Sequence, residues 1–132
     1  MPRPDKTDEL TKTLEEKILI LDGAMGTTIR SYGLQEKDAR GKQFADAPKD
    51  LLNNGDILSL TQSEVISDVH CKFLEAGSDI IETNSFSGTS IAQSEFFIED
   101  PRESGAGRKD PDFYQKVIDD PFLKNLAWEI NL

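Results

Sequence analysis

The sequence predicts an α/β fold in which parallel strands alternate with helices. Runs rich in isoleucine and leucine occur at 17–21, 57–60 and 79–83, and each has the length of a strand. A polar or glycine-containing turn follows each run, and a segment that suits a helix comes next. Because strands that alternate with helices pair in parallel through right-handed crossovers, three such units predict part of a larger parallel sheet.

The first unit contains the clearest strand and turn of the chain. Lys17-Ile-Leu-Ile-Leu21 is a continuous run of the kind that is buried on both faces of a parallel sheet. It ends at Asp22-Gly-Ala-Met-Gly-Thr27, a turn with two glycines. A short helix is expected over 27–32, because Gly33 stands where glycine commonly ends a helix.

The second unit joins a short strand directly to a long helix. The strand is Ile57-Leu-Ser-Leu60, and the spacing of Thr61 and Glu64 is that of a capping box, which predicts that the helix begins there. Gly77 is expected to end this helix. Between these ends, apolar residues recur at helical spacing and predict one buried face: Val65, Ile66, Val69, Phe73 and Leu74.

The third unit begins with a strand at Asp79-Ile-Ile-Glu-Thr83 and turns at Asn84-Ser-Phe-Ser-Gly88. A helix is expected over 89–98, and the proline-, glycine- and charge-rich residues 99–111 predict an exposed loop. Asp120-Pro121 predicts the start of a last helix. The apolar residues expected to face the core from that helix are Phe122, Leu126, Trp128 and Ile130.

Two segments lie outside these units. Residues 1–13 are polar with little pattern and are expected to form a disordered tail. Residues 34–55 are charged with no strong period and are expected to form a long excursion between the first helix and the second strand. The predicted folded domain therefore covers 14–132.

Composition and charge argue against a protein that binds nucleic acid or anionic membranes. The chain has 132 residues, 36% of them hydrophobic and 30% charged, and its net charge of −10 opposes binding to nucleic acid or to anionic membranes. The single cysteine, Cys71, cannot form an internal disulfide, which favours a reducing compartment and a cytoplasmic location. Cys71 and His70 are neighbours in a predicted helix and point about 100° apart, so they cannot bind one metal ion side by side.

Polar residues follow two of the predicted strands, at Asp22-Gly23-Ala24 and at Glu82-Thr83-Asn84. In a closed parallel barrel and in an open doubly wound sheet alike, ligands bind beyond the carboxyl ends of the strands. A carboxylate beside glycines suits a substrate ammonium, and exposed backbone amides suit a carboxylate. The simpler interpretation is that Asp-Gly is a common turn and that Asn84 caps a helix or a turn.

Two stretches carry a resemblance to a known family. Leu21-Asp-Gly-Ala-Met-Gly-Thr27 and Ala76-Gly-Ser-Asp-Ile-Ile-Glu-Thr-Asn-Ser-Phe86 closely resemble the homocysteine-binding domain of homocysteine S-methyltransferases, in particular of the cobalamin-dependent methionine synthase type. Shorter blocks are similar to the same domain, and they are Arg40–Asp46, Asn53-Asn54, Leu60–Ile66 and Trp128–Asn131.

The resemblance implies a (β/α)8 barrel, of which this chain would supply about the first three units and thus the N-terminal portion. Residues 99–125 depart from the family pattern and are expected to be an insertion. The chain would then be a truncated part of its parent enzyme. Its partners would be the remaining barrel and the modules that bind cobalamin and methyltetrahydrofolate.

The resemblance also implies the chemistry of the site. In the family, a zinc ion held by three cysteine thiolates binds the homocysteine sulfur, and the resulting thiolate takes a methyl group from methylcobalamin to give methionine. Asp22 corresponds to the aspartate that holds the amino-acid end of homocysteine, with Gly23 and Ala24 as backbone donors. Glu82, Thr83 and Asn84 correspond to residues facing the same pocket. Cys71 matches none of the zinc ligands, so methyl transfer by this chain alone is not expected.

Three alternatives stay open on the sequence alone. A related methyltransferase could use betaine or S-methylmethionine in place of methylcobalamin. The chain could instead be a non-catalytic half-barrel that binds another subunit through its open strand edges. A small flavodoxin-like protein would bind a phosphate-bearing cofactor, but the sequence carries no phosphate loop.

Overall fold

The computed structural model describes residues 4–99 and 111–132, and these residues are mostly helical. The only strand-like pairing among them is an isolated parallel bridge between Leu21 and Ile80. The helices are α1 (Thr7–Glu16), α2 (Met25–Arg30), α3 (Glu36–Arg40), α4 (Leu58–Thr61), α5 (Ser63–Glu75), α6 (Ser90–Phe97), α7 (Pro111–Asp119) and α8 (Pro121–Ile130). No helix in the described ranges is long and apolar enough to cross a membrane.

The prediction of an α/β fold, with the first three units of a (β/α)8 barrel, is therefore wrong. Residues 57–60 are not a strand, because Ile57 precedes α4 and the others lie in it. The other two predicted strands pair only at the bridge. A short apolar run fits a buried strand and a buried helical turn equally well. A run such as 17–21 also forms a strand only where neighbouring strands cover it, and here Ile18 is 90% exposed.

The bridge nevertheless holds two extended segments side by side. The Asp22 amide donates to the Ile80 carbonyl at 2.9 Å, and the Asp79 amide donates to the Ile20 carbonyl at 2.8 Å. The Asp79 carboxylate also accepts from the Ile20 amide at 3.1 Å and forms an ion pair with Lys17. Because the pairing is parallel, the residues that follow Leu21 lie beside those that follow Ile80.

The hydrophobic core lies among the helices. Its buried members come from α2, α3, α4, α5, α8 and the loop before α4, and they are Ile29, Ala39, Phe44, Leu51, Ile57, Leu58, Ile66, Val69, Leu126 and Ile130. Of the apolar face predicted for α5, Ile66 and Val69 are buried, whereas Leu74 is 47% exposed. The segments 17–28 and 76–86 contribute no buried residue.

One of two helix starts that capping residues predicted is confirmed, and the other is wrong. Asp120 caps α8 as predicted, since its Oδ1 accepts from the Leu123 amide at 2.9 Å. The capping box predicted at Thr61 and Glu64 is wrong, because Thr61 ends α4 and its hydroxyl donates to the Ile57 carbonyl at 3.3 Å. α5 begins two residues later, at Ser63.

Residues 34–55 are folded around one ion pair rather than left as a loose excursion. The Arg40 Nε donates to Glu36 at 2.6 Å, and its guanidinium also donates to the Ala47 carbonyl at 2.7 Å. Glu36 in turn accepts from the amides of Leu51 and Leu52, at 2.9 and 2.8 Å. The two side chains thus close the loop that carries the buried residues Phe44 and Leu51 into the core.

The ends of the chain differ from expectation in two places. Residues 7–13, predicted to belong to a disordered tail, form most of α1, which has no buried residue. Trp128, predicted to lie in the core, is 66% exposed, whereas Leu123, Leu126 and Ile130 are the buried residues of α8. Residues 100–110 of the predicted insertion lie outside the described residues, and α7 follows them.

Candidate ligand-binding site

A cavity of about 370 Å³ lies where the two extended segments end. All six residues that the sequence singled out line it, so the structure brings both predicted groups together. The complete lining is Asp22, Gly23, Ala24, Met25, Gly26, Gly55, Asp56, Glu82, Thr83, Asn84, Phe86 and Ser87. That these residues bind a ligand stays a prediction.

The parallel bridge places the two groups next to each other. Just beyond the bridge, the Glu82 amide donates to Asp22 Oδ1 at 3.0 Å. Asp22 therefore joins the two segments and also lines the cavity, and within the described residues its second carboxylate oxygen accepts no hydrogen bond. His70 supports the same segment from α5, because its Nε2 lies 3.1 Å from the Glu82 carbonyl oxygen.

The turn after Asp22 exposes its backbone to the cavity. Ala24 has φ 52° and ψ 30°, a left-handed conformation that costs a residue with a Cβ about 1–2 kcal/mol. Strained backbone of this kind is common at functional sites. A Cβ built on Gly23 or Gly26 would meet no atom within 4 Å, so a ligand can approach these backbones closely. Within the described residues, neither the Gly23 amide nor the Ala24 amide donates to a protein acceptor.

The sequence did not single out the third wall of the cavity, which comes from the loop before α4. The Asn84 Nδ2 donates to the Gly55 carbonyl at 2.8 Å and to Ser59 Oγ at 3.1 Å. Next to Gly55, Asp56 accepts from the Ser87 amide at 2.8 Å. One feature of the sequence could have indicated this wall: the polar run Asn53-Asn-Gly-Asp56 directly precedes an apolar segment.

The cavity is acidic. Asp22, Asp56 and Glu82 line it, and the described lining includes no lysine, arginine or histidine. Burial raises the pKa of the Asp56 carboxyl, and hydrogen bonds from the Ser87 and Phe86 amides oppose that rise. Three carboxyl groups around one small space favour a ligand with a cationic group.

The rim of the cavity is apolar. Phe86 is fully exposed although it is a large aromatic residue, and Met25 lies half-buried on the rim too. An exposed phenylalanine next to a cavity is a ready contact for the carbon chain of a ligand. The cavity thus combines an acidic wall, free backbone donors and an apolar edge.

The residues present do not fit a zinc site with three thiolates. Cys71 is the single cysteine of the sequence, and it is exposed on α5. Within the described ranges, no group of three histidine, cysteine, aspartate or glutamate residues is placed to hold a metal ion.

The helices hold two extended segments around a small acidic cavity. A concave pocket of this kind is the usual form of a small-molecule site. A family model described as homocysteine S-methyltransferase matches residues 19–109, which is more than half of the chain. The chain therefore belongs to the homocysteine S-methyltransferase family, and this membership supports a role in homocysteine methylation. The matched range includes every residue that lines the cavity.

Proposed function

We propose that the cavity binds homocysteine by its amino-acid end, as part of an enzyme that methylates the homocysteine sulfur. The observation that carries this proposal is that Asp22, Gly23, Ala24, Glu82, Thr83 and Asn84 all line one cavity within the matched range. Family membership supplies the substrate, and the charge of the cavity suits the ammonium group of an amino acid.

Each part of homocysteine has a partner in this arrangement. The ammonium group lies against the carboxylates of Asp22 and Glu82, and the substrate carboxylate accepts from the amides of Gly23 and Ala24. The apolar rim residues Met25 and Phe86 suit the carbon chain that leads to the sulfur. The polar end of the substrate is thereby fixed, while its sulfur stays accessible to a methyl donor.

In the family pattern, activation of the sulfur uses three cysteine thiolates, and this sequence has one cysteine, Cys71. In the family pattern a zinc ion acts as the Lewis acid, and its thiolate ligands would have to come from polypeptide outside this chain. We propose methylcobalamin as the methyl donor, with methyltetrahydrofolate as the source of the methyl group, because the blocks Arg40–Asp46 and Leu60–Ile66 resemble the cobalamin-dependent type. Betaine or S-methylmethionine is the alternative donor, and finding cobalamin- and folate-binding modules in the same gene would decide between them.

A titration followed by nuclear magnetic resonance tests the binding proposal. Reduced L-homocysteine added to the ¹⁵N-labelled chain should shift the amides of Gly23, Ala24 and Gly55, with a dissociation constant in the millimolar range. L-2-Aminobutyrate, which lacks the sulfur, should shift the same amides, whereas 1-propanethiol should not. Asp22→Asn keeps an oxygen that can accept from the Glu82 amide but removes the charge, so it should abolish most of the response.

The matched control is Asp46→Asn, which removes one carboxylate from an exposed position outside the cavity. It should leave the titration unchanged. Shifts that cluster away from the cavity, or an Asp22→Asn chain that responds as the wild type does, would refute the proposal. Micromolar affinity would show that the cavity needs no further polypeptide to hold homocysteine.

A further inference from the structure

Asp56 is the most buried charged residue of the cavity wall, with 6% of its surface exposed. Its Oδ2 accepts from the Ser87 amide at 2.8 Å. The carboxylate spans a gap of 31 residues in sequence and holds the backbone next to Phe86.

The residues around Asp56 hold the same segment from a second side. The Asn84 Nδ2 donates to both Gly55 and Ser59, and the Ser59 hydroxyl donates back to the Asn84 carbonyl at 3.1 Å. The 84–87 segment is thus held at its first residue by an amide side chain and at its last by a carboxylate, and Gln93 Nε2 also donates to the Ser87 carbonyl at 3.1 Å. Little apolar packing holds it, since Asn84, Ser85, Phe86 and Ser87 are all at least partly exposed.

A buried carboxylate is a costly way to fasten a loop. Taking the charge out of water opposes folding, and the two other acidic side chains on this wall, Asp22 and Glu82, add to the repulsion. A neutral asparagine would keep one acceptor oxygen, but it has no charge to strengthen the hydrogen bond from the Ser87 amide. A carboxylate accepts that bond with its negative charge. Its charge also adds to the attraction of a bound ammonium group.

We propose that Asp56 is a positioning residue for homocysteine, whose carboxylate holds the 84–87 segment so that the cavity keeps the shape that the substrate requires. This inference rests on the proposed function. It adds a residue from the loop before α4, one that acts through the Ser87 amide rather than through the chemistry at sulfur.

The test uses the full chain and the variant Asp56→Asn. At neutral pH the variant should bind L-homocysteine about tenfold more weakly, which corresponds to one charge-assisted hydrogen bond. The amides of Phe86 and Ser87 should exchange with solvent faster. The melting temperature should stay level or rise, because a buried charge has been removed. A residue with only a structural role would instead lower the melting temperature.

A second measurement needs no variant. On acidification of the wild type, the Phe86 and Ser87 amide resonances and the homocysteine affinity should change together, with one midpoint. Asp22 and Glu82 line the same cavity, and His70 contacts the Glu82 carbonyl. In the Asp56→Asn chain the shared midpoint should vanish, and any change that persists there does not come from Asp56.

Two results overturn the inference, and they are distinct from each other. If Asp56→Asn binds homocysteine as the wild type does and protects both amides equally, Asp56 does not position the segment, while the Asp22→Asn result still supports the binding site. If the wild type itself shows no response to homocysteine, the proposed function fails and the role of Asp56 fails with it.

Discussion

Two regions of the molecule are built by different physical means. The helical region around α4 and α5 packs apolar side chains, and Ile57 and Val69 are completely buried there. The two extended segments, 17–24 and 79–86, bury no residue and are held by backbone hydrogen bonds and by a few polar side chains. The predicted binding residues belong mainly to the second region. Stability and the proposed binding therefore depend on largely separate residues.

The difference has a consequence for dynamics. Segments with few buried apolar contacts open locally at a lower free energy than the packed core does. The cavity wall at 82–87 is held by hydrogen bonds that involve the side chains of Asn84, Asp56, His70 and Gln93, with few apolar contacts, so it is the part that a ligand would order most. The helical region provides a fixed support on one side of the cavity.

The largest expected effect is a contrast between two isoleucines. Ile57→Ala deletes a fully buried side chain and should lower the free energy of unfolding by about 3 kcal/mol. Ile18→Ala deletes a side chain that is 90% exposed and should change it by less than about 0.5 kcal/mol. Urea denaturation of both variants measures the two values. Equal losses would mean that the 17–21 segment is packed in solution and that the two regions are not distinct.

The sequence predicted which residues lie around one cavity better than it predicted the fold, because the two depend on interactions of different range. The Asp22-Gly23-Ala24 turn is a local feature, and its chemistry is visible in the residues themselves. The strand at 17–21 depends on neighbours that would cover it, and a run of apolar letters carries no information on whether they are present. The same ambiguity turned the predicted strand at 57–60 into part of α4.

Long-range polar contacts were the other feature that sequence patterns could not reveal. Asn54 and Gln93 are at most 2% exposed, and the Asn54 Nδ2 donates to Gln93 Oε1 at 2.7 Å across 39 positions of sequence. Asp56 reaches Ser87 in the same way. In the sequence alone, polar residues in such positions cannot be distinguished from loop residues, because their hydrogen-bond partners lie far away along the chain.

An intermediate effect is expected at Glu36, which closes the loop on the core side. Glu36→Gln removes a charged acceptor of the Leu51 and Leu52 amides and should lower the free energy of unfolding by about 2 kcal/mol at neutral pH. Glu64→Gln, on the exposed first turn of α5, is the matched control and should change it by less than about 0.5 kcal/mol.

The same residue predicts a pH dependence. Burial alone would raise the pKa of the Glu36 carboxyl, but the Leu51 and Leu52 amides and Arg40 outweigh it and hold the pKa below the ordinary 4.5. The stabilisation is therefore complete above pH 4.5 and is lost as the pH falls through the lowered pKa. Denaturation curves between neutral and acid pH should converge for wild type and Glu36→Gln. A difference that persists in acid would assign the loss to packing instead.

The smallest effect concerns the strained turn at the cavity and compares two residues with the same left-handed backbone. Ala24→Gly relieves about 1–2 kcal/mol of strain but adds about 0.5–1 kcal/mol of chain entropy in the unfolded state, so a net gain of about 0.5 kcal/mol is expected. Gly33→Ala, at φ 64° with open space for the Cβ, should be destabilising by about 1 kcal/mol for the reverse reason.

The two variants should also differ in their affinity for homocysteine, because only Ala24 lines the cavity. Ala24 keeps its own amide turned toward the proposed carboxylate site at a cost in stability, and glycine would let that amide leave its position. Ala24→Gly should therefore bind homocysteine two- to threefold more weakly although it is more stable, which is a change of about half a kcal/mol. Gly33→Ala should lose stability and keep its affinity. If the affinity followed stability in both variants, the cavity and the packed core would behave as one unit.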